Sequence, residues 1–140
     1  MGVSRKHTFE RHKLSAASKI TMIVWPTLSL WVGLAHTFGD PARTATPSFA
    51  YARSLMDVKF WGIFFLVVAV IEIAAWLTGN IQFMRFGLVC GMTFCSVWAL
   101  GFAISIFTTE DASLNGPAVW GAIAALQLAS LESLKKDMRE

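Results

Sequence analysis

The sequence predicts an all-α integral membrane protein: a four-helix bundle, N-in and C-in, with a short interfacial helix in the first external loop. Three observations carry that prediction. Residues 20–39, 86–109 and 112–131 contain no Asp, Glu, Lys or Arg, and residues 60–84 contain one, Glu72. A helix rises about 1.5 Å per residue, so roughly 20 apolar residues cross a hydrocarbon core about 30 Å thick. The composition agrees, with 55% hydrophobic and only 15% charged residues, against about 25% charged in an ordinary soluble domain. The third observation is where the basic residues fall. Arg5, Lys6, Arg11, Lys13 and Lys19 precede the first segment, Arg85 lies between the second and third, and Lys135, Lys136 and Arg139 follow the last. The other two loops hold Arg43, Arg53 and Lys59 beside Asp40, Asp57, Glu110 and Asp111. Basic residues favour the cytoplasmic side, which places both termini there, in the cytoplasmic (inner) membrane.

Taken in order, residues 1–19 read as a basic cytoplasmic arm. The arm has no recognisable nucleic-acid-binding fold, so it reads as a topology signal with affinity for anionic lipid and not as a nucleic-acid site. The transmembrane domain spans 20–131, with crossings at about 20–38, 60–78, 82–107 and 117–131, and residues 132–140 form a charged cytoplasmic tail. The first crossing is too long for a signal-peptide core and lacks a small-x-small cleavage site. It contains Pro26, which a membrane helix tolerates where Ser or Thr side chains or neighbouring helices satisfy the freed carbonyl.

In the first external loop, Thr46-Pro47 suits an N-cap followed by the first helical position, starting a short helix through Leu55 and Met56. Phe49, Tyr51, Phe60 and Trp61 are expected there as headgroup-level anchors, with Trp31, Trp76 and Trp120 in the aromatic belts. Thr78-Gly79-Asn80 is a turn signal that forces the second and third crossings into an antiparallel hairpin. The last crossing is the least apolar and includes Gln127 and Ser130.

Glu72 demands an explanation. An acidic residue at mid-helix costs about 2.5–3.5 kcal/mol on insertion scales, which the Leu, Ile, Phe and Val residues around it offset at about 0.3–0.6 kcal/mol each. The segment inserts, but the carboxyl avoids lipid and faces the bundle interior or another copy. By depth its neighbours are Trp25, Thr27, Cys90 and Gln127, with Arg85 in reach from nearer the cytoplasmic boundary. A Glu72–Arg85 pair and a protonated Glu72 bonded to Gln127 are both open. So are a functional role, as a proton or cation site or a pore lining, and a structural one fixing helix register. Thr93 and Gln127 are the further pore candidates. His36, at the outer end of the first crossing, suits a pH sensor or an interfacial residue meeting headgroup water.

Small residues recur every fourth position at Gly87, Gly91, Cys95, Ala99 and Ala103, and again at Gly121, Ala125 and Ala129. Such ridges let helices approach closely, within one chain or between copies. Cys90 and Cys95, five residues apart without His or carboxylate companions, read as packing residues. With no phosphate loop, no nucleophile–base pair and no metal-ligand cluster, neither an enzyme nor a cofactor is expected.

Residues 47–62 (PSFAYARSLMDVKFWG) and 112–118 (ASLNGPA), the latter leading into the Trp120 helix, resemble small four-span membrane proteins encoded by phages of actinobacteria. Such proteins often lie near lysis or tail genes and are described as membrane proteins or holins. The resemblance covers about residues 20–131 and defines no catalytic residue. It implies a holin-like protein that accumulates in the membrane, forms homo-oligomers and opens a lesion lined by Glu72, Thr93 and Gln127. The alternative is a non-lytic module that binds a partner protein or alters the host envelope. A small proton-coupled transporter using Glu72 is the third reading.

Overall fold

The computed structural model describes residues 15–137. Most of the basic arm and the last three residues of the tail lie outside the described residues. The described chain is helical: α1 (Ala16–Phe38), α2 (Ala50–Leu55), α3 (Val58–Thr78), α4 (Ile81–Thr108) and α5 (Asn115–Asp137), with 3-10 turns at Pro41–Thr44 and Pro47–Phe49 before α2. The four long helices run alternately up and down. α1 packs mainly on α3, α3 on α4 and α4 on α5, while α1 and α5 meet only lightly. Three of them, α1, α3 and α4, are long and apolar enough to cross a membrane. α5 has a similar length, but its second half carries Ser130, Glu132, Ser133, Lys135 and Lys136.

Local chemistry sets the helix ends. Ser15 caps α1 by accepting from the Ser18 N–H at 3.2 Å, and Asp57 caps α3 by accepting from the Lys59 N–H at 2.8 Å. α3 stops at Gly79, which takes the left-handed conformation (φ 66°). The Asn80 N–H then returns to the Ala75 carbonyl at 3.1 Å, closing the turn by the usual glycine route. Asn80 at once caps α4, accepting from Gln82 N–H and Phe83 N–H at 3.0 and 3.3 Å. Gly79 and Asn80 alone connect the two helices, so α3 and α4 are a tight antiparallel hairpin, as the turn signal requires. Inside α1, Pro26 deprives the Met22 carbonyl of its donor. Thr27 Oγ1 donates to the next carbonyl, Ile23, at 2.7 Å.

The interior has three levels. Near the end carrying the α1 N-terminus and α5 C-terminus, here the termini end, Met22, Trp25, Ala75, Met84, Leu88 and Leu134 pack together. Toward the loop end, a second cluster contains Val32, Trp61, Phe65, Cys95, Trp98, Phe102 and Ala124. Between the two clusters, each long helix except α4 contributes a polar side chain: Ser29 from α1, Glu72 from α3 and Gln127 from α5, all buried. α4 contributes Gly91 there, with Gly87 one turn away toward the termini end.

The loop end is closed by the chain between α1 and α3. Phe49 inserts against Phe102 and Trp98, with ring centroids at 4.9 and 5.5 Å in T-shaped geometry. Ser48 Oγ accepts from the Ser113 N–H at 2.9 Å, Ser105 Oγ accepts from the Tyr51 N–H at 3.3 Å, and Trp61 Nε1 donates to the Ala52 carbonyl at 3.3 Å. The short helix expected after Thr46-Pro47 is present, but its aromatics do not all anchor outward. Phe49 and Trp61 turn inward, and Trp120 packs on Trp98 at 4.9 Å. The reason is Trp98, 1% exposed, whose faces and edges are covered by aromatic partners because edge-to-face contacts between rings are favourable. Trp31 and Trp76 keep the outward placement, at 72% and 37% exposed.

Candidate functional site

The polar level at mid-bundle is the candidate site. Glu72 is 0% exposed. Its Oε2 accepts a hydrogen bond from Ser29 Oγ at 3.1 Å, while Oε1 has no partner among the described residues. Gln127 is 2% exposed, and its Oε1 is likewise unpartnered. Both side chains lie against α4, at two of the three glycines of that helix. A Cβ on Gly87 would stand 2.6 Å from Glu72 Cγ, and one on Gly91 would stand 2.5 Å from Gln127 Nε2. The two glycines, one turn apart on the same face, are therefore what admits the carboxyl and the amide to the interior.

The structure brings together only some of the residues singled out from the sequence. Glu72, Gln127, Gly87 and Gly91 share the site, and Cys95 is buried in the adjoining aromatic cluster. Arg85 is elsewhere: half-buried, it lines a groove of about 380 Å³ with Gln82, Leu131, Glu132 and Lys135 on the α4–α5 surface. Glu72 takes its hydrogen bond from Ser29, and no Glu72–Arg85 pair is present. Thr93 is exposed and donates to the Val89 carbonyl of its own helix at 2.9 Å. Ala99 is half-buried. On α5 the small-residue ridge faces away from the bundle, since Ala125 is exposed and a Cβ on Gly121 would meet nothing within 4 Å.

His36 belongs to the loop end. Its Nδ1 lies 2.8 Å from the Val32 carbonyl and its ring meets Trp98 edge-on at 4.9 Å. It also borders a groove of about 540 Å³ with Asp40, Arg53, Asp57 and Lys59. That groove opens at the surface and is separate from Glu72.

Two features were missed by the depth count. Ser29, not Trp25, is the α1 partner of Glu72. Trp25 is engaged instead by α5, donating from Nε1 to Ser130 Oγ at 2.8 Å. Thr21 Oγ1 also bonds Ser130 Oγ at 3.3 Å, Ser18 Oγ bonds Ser133 Oγ at 3.2 Å, and Asp137 accepts from Ser15 N–H and Oγ at 3.0 and 2.9 Å. The α1–α5 seam is thus joined by hydroxyls more than by apolar packing. The signal was in the sequence: Ser18, Thr21, Trp25 and Ser29 recur at helical spacing on one face of an apolar segment. Hydrogen bonds from Ser18 and Ser15 hold the Asp137 carboxyl below the usual carboxylate range.

Chemically, the site is a buried acid with one hydrogen bond and a buried amide one α4 turn along. Among the described residues no group of three or more His, Cys, Asp or Glu could hold a metal ion. No protein-family model matches this chain, and no curated protein or solved structure matches it significantly. Three helices long and apolar enough to cross a membrane are consistent with a membrane protein.

Proposed function

We propose that this chain crosses the cytoplasmic membrane four times, with α5 as the fourth crossing and both termini cytoplasmic, and that copies associate and permeabilise the membrane in a holin-like way. The observation that carries this reading is the contrast between the bundle's outside and its α1–α5 seam. The outside is apolar, with Ile20, Val70, Leu100 and Phe107 all more than half exposed. The polar groups are inside, at Glu72, Ser29 and Gln127, and along the seam at Thr21, Ser130 and Ser133.

That arrangement supports two states. In the closed state the seam hydroxyls satisfy one another and lipid meets a largely apolar surface, on which Thr27 and Thr93 bond their own helices. When α1 and α5 part, the same hydroxyls and the polar level become one continuous polar stripe. Lipid cannot satisfy such a stripe, so it is best accommodated facing the stripes of other copies around water. The outward ridge of Gly121, Ala125 and Ala129 supports close approach of a neighbouring copy. Thr93, bonded to its own helix on the outer face, is not part of the lining in this reading.

Induced expression in a bacterial host, with culture density and uptake of a membrane-impermeant dye recorded together, tests the proposal. Abrupt loss of density with dye uptake, and higher-order species on crosslinking in membranes, is the expected result. Monomers alone at lethal expression levels would overturn it.

A second reading has its own observation. The surface groove of His36, Asp40, Arg53, Asp57 and Lys59 suits a non-lytic module that binds a partner of mixed charge at the outer face. In that case expression is harmless and a partner copurifies, and substitutions in the groove release it.

A further inference from the structure

We propose that Glu72 is an intramembrane proton-binding site, with the bound proton shared between its free carboxyl oxygen and the Gln127 amide oxygen. The inference is independent of the permeabilising role and rests on a count of donors and acceptors. An ionised carboxylate only accepts, with room for about four hydrogen bonds. Glu72 receives one, from Ser29. The oxygen left over, Oε1, is buried without a donor, and so is Gln127 Oε1. The two acceptors without a donor sit against glycines one turn apart on one α4 face, and a single proton on the carboxyl, donated to the amide oxygen, satisfies both.

No charged side chain competes for that role. From α1 the site receives Ser29, and the nearest titratable residue on that helix, His36, is about two turns away at the loop end. The other titratable residue of α3, Lys59, and the Asp57 that caps the helix stand at its far end. On α4, Cys90 and Cys95 lie within electrostatic reach of Glu72, and Arg85 borders the α4–α5 groove. α5 is free of titratable residues from Asn115 to Leu131. A metal cation is a poor fit, because hard divalent ions take about six or more oxygens and the site offers those of Ser29, Glu72 and Gln127. Leaving the carboxylate ionised with one donor would cost far more than holding a neutral acid there.

Infrared difference spectroscopy of the full chain in lipid vesicles, wild type minus Glu72→Gln, tests this at about pH 7, where exposed carboxyls are ionised. The glutamine supplies donors in place of the acid hydroxyl, so the variant keeps the fold, checked by helical circular dichroism. The expected result is a carboxylic-acid C=O band present in wild type and lost in the variant, and shifted to higher frequency by Gln127→Leu. Loss of carboxylate bands alone would overturn the proposal, since it would mean an ionised Glu72 taking its second bond from the Gln127 amide N–H or from water. If Glu72→Gln does not fold, wild type made with carboxyl-labelled glutamate decides alone: an isotope-shifted acid band that persists at about pH 7 supports the proposal, and its absence overturns it.

Discussion

Trp25 of α1 and Ser130 of α5 are joined by an indole hydrogen bond of 2.8 Å, and Ser130 in turn donates to the Leu126 carbonyl of its own helix at 2.9 Å. One serine hydroxyl thus receives α1 while spending its proton on α5. Removing it leaves a largely buried indole N–H without an acceptor. Ser130→Ala is expected to destabilise the bundle by about 0.5–1.5 kcal/mol, measured by denaturant or thermal unfolding in detergent. Trp25→Phe, which removes donor and need together, should cost less in hydrogen bonding, and the two changes combined should be less than additive.

If separation of α1 from α5 opens the lesion, a bond across the seam must block it. Thr21 and Ser130 carry oxygens 3.3 Å apart, close enough for a pair of cysteines. Thr21→Cys with Ser130→Cys, in a background lacking Cys90 and Cys95, should abolish dye uptake when oxidised and restore it on reduction. Uptake unaffected by oxidation, with the crosslink verified by mass spectrometry, would rule out opening at this seam.

The glycines of α4 and α5 separate by consequence. Gly87→Ala or Gly91→Ala drives a methyl to within 2.6 Å of Glu72 or 2.5 Å of Gln127, and each is expected to cost about 1–3 kcal/mol as overpacking. Gly121→Ala meets nothing within 4 Å and should leave monomer stability within about 0.5 kcal/mol. A bulky Gly121→Leu should also leave the monomer intact while weakening association of copies, read by crosslinking yield in membranes.

The Ser15–Asp137 clasp has a pH dependence of known sign. The folded carboxyl is held below its ordinary value by hydrogen bonds from Ser18 and Ser15. Its contribution is therefore complete above the unfolded carboxylate range and is lost as pH falls through the folded one. Acidification should loosen the α1 N-terminus, raising amide exchange at residues near Ser18, and Asp137→Asn should remove that acid dependence. Asp137 is the last residue of α5, so the effect is local to the termini end.

Phe49 is the plug of the loop end. Phe49→Ala removes two T-shaped ring contacts, each worth about 0.5–1.5 kcal/mol beyond burial. The expected outcome is a red shift of tryptophan emission as Trp98 gains solvent, together with faster proteolysis between α1 and α3.

Several elements were legible in the chain because their causes are local. Gly79-Asn80 ends one helix and caps the next within two residues, and Pro47 starts the short helical segment from position 46 onward. The proposed fourth crossing shows the limit of composition: residues 115–137 form a helix, but hydropathy alone distinguishes only α1, α3 and α4 as spans. Within the site, Glu72 was identifiable by its charge in an apolar run, and Gln127 by its matching depth. Ser29 shares a helical face with Ser18, Thr21 and Trp25, but which of the four meets Glu72 depends on the rotation and register of α1 against α3, which spacing does not give.

By itself the sequence determined that the protein is helical, apolar enough for a bilayer, and turns sharply between α3 and α4 at Gly79-Asn80. The tertiary structure decided which way each helix turns. α3 and α4 are apolar on nearly every face, so periodicity, which orients a helix between core and water, says nothing when core and lipid are alike. What orients them is contact at short range: Glu72 and Gln127 need the gaps at Gly87 and Gly91, Trp98 needs rings around it, and the α1 hydroxyls need those of α5. Those requirements are met only between helices, and only once they are packed.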